Sequence, residues 1–228
     1  MRQYKIHIAF LIIALLHLYS IYANFSNLRF FSKPLICAFL FLILYRETGL
    51  KNRFNQLIGT GLIFGWLGDI FLMMHDQFLL GLISFLVGHI LYVIAFIKQT
   101  SVKDLTRHKG YILVAGILLT YSYYLFNVLE PSLGIMKIPV ILYIFVISLM
   151  ALFAFTRRHQ TNTLSFIVVF IGAILFIISD SILALNKFVA YIPNSDLYIM
   201  STYILAQYGI TLGTIFNKNQ VSPSVISS

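Results

Sequence analysis

Two carboxylates stand where an apolar helix should carry none. Asp69 lies in Phe64-Gly-Trp-Leu-Gly-Asp-Ile-Phe-Leu-Met-Met74, and Asp180 in Leu175-Phe-Ile-Ile-Ser-Asp-Ser-Ile-Leu-Ala-Leu185, each with Leu three residues later. An acid at the centre of a bilayer costs about 2.5 to 3.5 kcal/mol on insertion scales, and no Lys or Arg lies in either run to offset it, so two such residues imply a task. Two acids that meet in low dielectric do not both ionise easily, so one site holds an acid and a base together. That division of labour breaks glycosidic bonds through an oxocarbenium-like state. It equally suits an ether carrying a double bond, where protonation at carbon makes an oxocarbenium ion.

Other chemistries fit the residues less well. A zinc hydrolase needs three or more converging ligands, and of six histidines only His17, His75 and His89 fall in the same half as the acids, while His7, His108 and His159 do not. No Gly-x-Ser-x-Gly elbow and no Gly-rich phosphate loop occurs, and Ser179 beside Asp180 points in another direction on a helix. The single cysteine, Cys37, excludes an intrachain disulfide. A net charge of +9 would suit nucleic acid, but the basic residues sit in short loops between apolar runs, so nucleic acid is not an expected partner.

The elements that must position the acids follow from composition. With 60% hydrophobic and 10% charged residues, 228 residues supply too little polar surface for a soluble globule. The expected fold is all-α: a polytopic membrane protein with eight transmembrane helices in one domain over 1–217, followed by a polar, disordered tail over 218–228. The apolar runs are Ile6 to Ala23, Pro34 to Tyr45, Leu57 to Met74, Phe78 to Ile97, Gly110 to Leu129, Ile138 to Phe155, Leu164 to Leu185 and Leu197 to Phe216. The first reads as a span rather than a cleaved signal, because Ile21-Tyr-Ala23 is a poor cleavage site.

Eight spans place Arg2, Lys5, Arg46, Lys51, Arg53, Lys98, Lys103, Arg107, Lys109, Arg157, Arg158 and Lys218 on one side, against Arg29, Lys33, Lys137 and Lys187 on the other. The positive-inside rule then puts both termini in the cytoplasm, and in a bacterium the chain belongs in the inner membrane. In this orientation Asp69 and Asp180 each lie about six or seven residues, roughly 9 to 11 Å, below the outer interface. The candidate site is therefore nearer the extracytoplasmic side.

Lys33-Pro34 opens the second run and Lys137-Ile-Pro139 the sixth, and each acid is followed by a Phe, Phe78 or Phe188, near the end of its helix. These features suggest a four-plus-four internal repeat, set against chance likeness among apolar helices. Further polar groups fall where they could join the acids. His89 and Tyr92 share a face of the fourth run, Tyr203, Gln207 and Thr211 step by four along the eighth, and His17, Ser20 and Asn24 line the first, with Tyr143 in the sixth. Lys33 could neutralise a carboxylate or hold a lipid phosphate. Each also has a plain reading as interhelical packing, worth about 0.6 to 2 kcal/mol.

Gly68-Asp69 with Leu72-Met73, Gly88-His89-Ile-Leu-Tyr92, Ser179-Asp180 with Leu183-Ala184, Tyr203-Ile-Leu-Ala-Gln207, and Lys33-Pro34 together resemble the YhhN family of eight-span membrane proteins, whose animal members are lysoplasmalogenases. Gly65 stands where many members are expected to carry Ser, which removes a hydroxyl at that position. The resemblance implies hydrolysis of the vinyl ether bond of a lysoplasmalogen-type lysophospholipid to a fatty aldehyde and a glycerophospho-base. Asp69 and Asp180 would be the catalytic pair, Lys33 would hold the phosphate, and His89, Tyr92, Tyr203 and Gln207 would position the pair and the water. No metal or organic cofactor is implied. The competing reading from the residues alone is a proton-coupled transporter or flippase for a lipid or small amphiphile, in which the acids relay protons.

Overall fold

The computed structural model describes residues 2–101 and 109–217. Lys103, Arg107, His108, Lys218 and the tail expected to be disordered lie outside the described residues. Among the described residues every element is helical: α1 (Arg2–Tyr22), α2 (Ser26–Thr48), α3 (Arg53–Met73), α4 (Phe78–Ile97), α5 (Gly110–Leu133), α6 (Lys137–Thr156), α7 (Thr163–Phe188) and α8 (Ser195–Phe216). Short 3-10 turns follow α5 at Gly134–Met136 and α6 at Arg157–His159.

Among the described residues, seven stretches are long and apolar enough to cross a membrane, which makes the chain a multi-pass membrane protein. One of the seven, Gly110–His159, is 50 residues long and contains both α5 and α6. Gly134, at φ +49°, breaks that stretch between the two helices, a backbone conformation that glycine adopts without the steric cost of a Cβ.

The helices that carry the acids start in the same way. Asn52 and Asn162 each accept a hydrogen bond from a backbone N–H three residues on, at 2.8 Å in both cases, and so cap α3 and α7. Glycines then bring each helix close to its neighbour. On α3, Gly61 faces the Tyr92 ring and Gly68 the Phe85 ring of α4. On α7, Gly172 lies against the backbone of α8, where an added Cβ would stand 2.9 Å from the Ala206 carbonyl oxygen. Small residues at such contacts let backbones approach where no hydrophobic force drives helices together.

One apolar cluster joins all eight helices, α5 through Leu118 alone among its buried members. A second, smaller one, built on Leu125, Leu129, Leu133 and Val140, seats the C-terminal part of α5. One expected boundary moves: Pro34 does not open the second helix but stands inside α2, which starts at Ser26 and so gains two turns ahead of Lys33. The fourth run keeps its expected bounds, Phe78 to Ile97, as α4, and the Phe78 ring meets Phe188 at the end of α7 edge-on, with centroids 5.5 Å apart.

Candidate active site

Asp69 is almost fully buried, at 2% exposure, and its two oxygens have different company. Tyr203, on α8, donates its hydroxyl to Oδ2 at 2.8 Å, and the Cys37 thiol of α2 reaches the same oxygen at 3.7 Å. Cys37 Sγ and the Tyr203 hydroxyl are themselves 3.0 Å apart. Oδ1 instead faces Lys33 Nζ at 3.9 Å, an ion pair beyond hydrogen-bonding distance. Lys33 and Cys37 are one helical turn apart, so α2 presents both to α3 from one face. Burial of a paired charge in this way is tolerable only because the neighbouring donors and the cation replace water.

Asp180 is set differently. Tyr143, on α6, donates its hydroxyl to Oδ2 at 2.6 Å, and among the described residues no Lys or Arg lies within ion-pair distance. The preceding residue, Ser179, is spent on α8, where its hydroxyl donates to the Ile199 carbonyl at 3.0 Å.

Both acids line one polar cavity of about 280 Å³, together with Lys33, Tyr203, Ser179 and Phe85. Its rim carries Asp76, Lys187 and the exposed pair Arg29 and Asp196, joined at 2.7 Å. A second, apolar pocket of about 50 Å³ lies between α4, α5, α6 and α7, lined by Leu82, Leu125, Leu129, Ile144 and Ile177 among others. Asp180 borders both, whereas Asp69 borders only the polar one. Leu72, Phe78, Phe85 and Leu183 form the remainder of the shared wall. The arrangement fits an amphiphile whose polar end faces cations and whose tail lies in hydrocarbon, with a carboxyl group at the junction.

Of the residues chosen from sequence, Asp69, Asp180, Lys33 and Tyr203 thus meet at one cavity. Tyr92 and Gln207 stand behind it, joined by a Tyr92 hydroxyl to Gln207 Oε1 bond at 2.9 Å, close to Gly65, whose added Cβ would fall 2.9 Å from Gln207 Nε2. His89 is buried with neither ring nitrogen hydrogen-bonded; it packs edge-on against Phe176, with centroids 4.5 Å apart, and against Tyr143 at 5.4 Å. It lines neither cavity. His17 binds Ser32 at 2.8 Å in the α1–α2 contact, and Ser20 bonds to the His17 carbonyl; neither lines either cavity. Asn24 lies beyond the end of α1 at φ +56°. Thr211 is buried with its hydroxyl unpartnered, and His75 stands exposed beside Asp76.

One contact of the acids, Cys37, is not singled out by the sequence reading, although it follows Lys33 by four residues, a spacing that places it on the same face. Tyr143, named among the polar groups that could join the acids, is the partner of Asp180. Among the described residues, no three His, Cys, Asp or Glu side chains cluster as metal ligands would.

Known proteins give the site its context. The chain is 32% identical to the lysoplasmalogenase TMEM86A of Bos taurus over 195 residues, covering 82% of this chain and 78% of the relative. It is equally similar to TMEM86A of Homo sapiens, and 30% identical over 185 residues to the lysoplasmalogenase TMEM86B of Rattus norvegicus, covering 80% of this chain and 70% of the relative. No solved structure matches the chain significantly. The YhhN family matches residues 28–214, a range that contains both acids, Lys33 and Tyr203 and runs from the first turn of α2 to the last turn of α8, and the chain belongs to that family.

Proposed function

We propose that the protein is a membrane-embedded hydrolase that cleaves the vinyl ether bond of a lysoplasmalogen-type lysophospholipid, releasing a fatty aldehyde and a glycerophospho-base. The observation that carries this reading is the position of Asp180 where the polar and the apolar cavity meet, with Asp69 on the polar side. A lysolipid laid across that junction puts its head group among Lys33, Lys187 and Arg29, the first carbons of its single chain at the apolar pocket, and its scissile bond beside the acids. The names of the relatives support the same substrate class.

The chemistry needs two acids and no more. Protonation of the vinyl ether at carbon gives an oxocarbenium ion, a carboxylate stabilises it and activates water, and the resulting hemiacetal collapses to aldehyde and alcohol. Tyr203 and Tyr143 fix the two carboxyl groups, and Lys33 also serves the phosphate. Eight crossings, with α5 and α6 as separate spans, both termini in the cytoplasm and a four-plus-four relation between halves, complete the proposal; the matching Asn caps of α3 and α7 support the last.

The test is substrate chemistry. Detergent-purified protein, without a membrane gradient, should release fatty aldehyde from a 1-alkenyl lysophospholipid and leave the 1-alkyl analogue intact, because a saturated ether has no double bond to protonate. Equal turnover of both ethers, or of neither, would overturn the reading.

A further inference from the structure

The two acids border different spaces, and a vinyl ether is unsymmetrical in the same sense. Its C1 carries the oxygen that leads to the head group, while its C2 begins the hydrocarbon chain. Only C2 can accept the proton, since the cation is stable only at C1, next to oxygen. With the head group in the polar cavity and the chain in the apolar pocket, C2 falls on the side of Asp180, the acid that borders the apolar pocket, and C1 faces the water-accessible side where Asp69 and Lys33 lie. Asp69 also has a cation at 3.9 Å to support a carboxylate, whereas Asp180, among the described residues, has only the Tyr143 hydroxyl, at 2.6 Å on one oxygen.

Resting on the vinyl ether reading, we propose that Asp180 is the proton donor to C2, that Asp69 is the base that activates water, and that Tyr143 is the positioning residue that turns the free oxygen of Asp180 toward the chain-side carbon. The protons balance over one turnover. Asp180 gives its proton to C2, whose new C–H bond uses the π electrons, and C1 becomes the oxocarbenium carbon. Water bonds to C1 and loses a proton to Asp69. On collapse of the hemiacetal, the C1–O bond to glycerol breaks, Asp69 returns its proton to the leaving glycerol oxygen, and the hemiacetal hydroxyl gives its proton to Asp180. Both acids end as they began.

Tyr143 is suited to this task by rigidity. Its ring is buried, packed edge-on against His89, and it lies on α6, so the Asp180 carboxyl is held from a different helix than its own. Tyr203 plays the matching part for Asp69 from α8.

Deuterium oxide separates the roles. The purified full-length protein is supplied with a 1-alkenyl lysophosphatidylethanolamine in D2O, and both product and unreacted lipid are followed by mass spectrometry. In Asp69→Asn, protonation at C2 persists while water attack is slow, so the cation reverts and deuterium washes into C2 of the unreacted substrate. In Asp180→Asn, no deuterium enters the substrate. Tyr143→Phe should lower kcat about tenfold with KM unchanged and a larger solvent isotope effect, without wash-in, whereas Tyr203→Phe should show wash-in. The phenylalanine pair keeps the test open should either asparagine variant fail to fold. Wash-in for the Asp180 and Tyr143 variants instead of the Asp69 and Tyr203 variants, or for neither set, would overturn the assignment and leave vinyl ether hydrolysis standing. A wild-type protein that releases no aldehyde would sink the underlying function instead.

Discussion

Asp69 and Asp180 look alike in sequence and differ in the folded chain. Each lies in an apolar run, each is held through one oxygen by a tyrosine from another helix, and each opens to the same cavity. Asp69 is ringed by a cation, a phenol and a thiol; Asp180 has one phenol and an apolar pocket at its side. The comparison teaches that a pair of equal side chains is made unequal by what their neighbours supply: charge and hydrogen bonds to one, hydrocarbon to the other. Acid and base roles can then be divided without any difference in residue type.

The largest expected effect comes from removing either member. Asp69→Asn and Asp180→Asn should each reduce kcat by about 10² to 10⁴-fold, the range that general acid or base groups contribute, measured as aldehyde release by protein of unchanged thermal stability. Lys33→Met makes the surroundings of Asp69 resemble those of Asp180; kcat/KM for the lysolipid should fall about tenfold or more, through loss of the cation near both the carboxylate and the phosphate. If Lys33→Met kept full activity, the charge difference between the two acids would have no catalytic meaning.

Smaller effects test the frame that holds the acids. Gly172→Ala puts a Cβ against the Ala206 carbonyl oxygen, a backbone atom that cannot rotate away, so the α7–α8 contact should lose about 1 to 3 kcal/mol, seen as a lower unfolding temperature in detergent. Arg29→Ala removes the rim pair with Asp196, whose partners are 41% and 48% exposed; stability should change by about 1 kcal/mol or less in the same assay.

The helices were legible because the membrane demands long apolar runs between charged loops, and each run reappears as an α-helix with ends shifted by a few residues. The Asp69 side of the site was legible as well. Lys33 and Tyr203 were already set apart, as a charge at a helix mouth and as part of a stripe stepping by four. Cys37 was missed although its four-residue spacing from Lys33 marked the face. Tyr143 is named from sequence as a group that could join the acids, but not matched to either of them, because its partner lies on another helix and α6 is apolar all round, so no periodic face points to Asp180. His89 was placed with the acids because it is a rare polar group; its ring is instead packed among aromatic side chains. The start of α2 was missed for a simpler reason: Lys33-Pro34 reads as a boundary, yet the helix continues through it.

The central claim, that Asp69 and Asp180 act together on one vinyl ether bond, is tested most directly by aldehyde release from a 1-alkenyl lysophospholipid by purified wild type, Asp69→Asn, Asp180→Asn and the double variant. The account predicts that each single variant loses nearly as much activity as the double, since each acid is needed in the same turnover. Well-folded single variants that release aldehyde at the wild-type rate would contradict it.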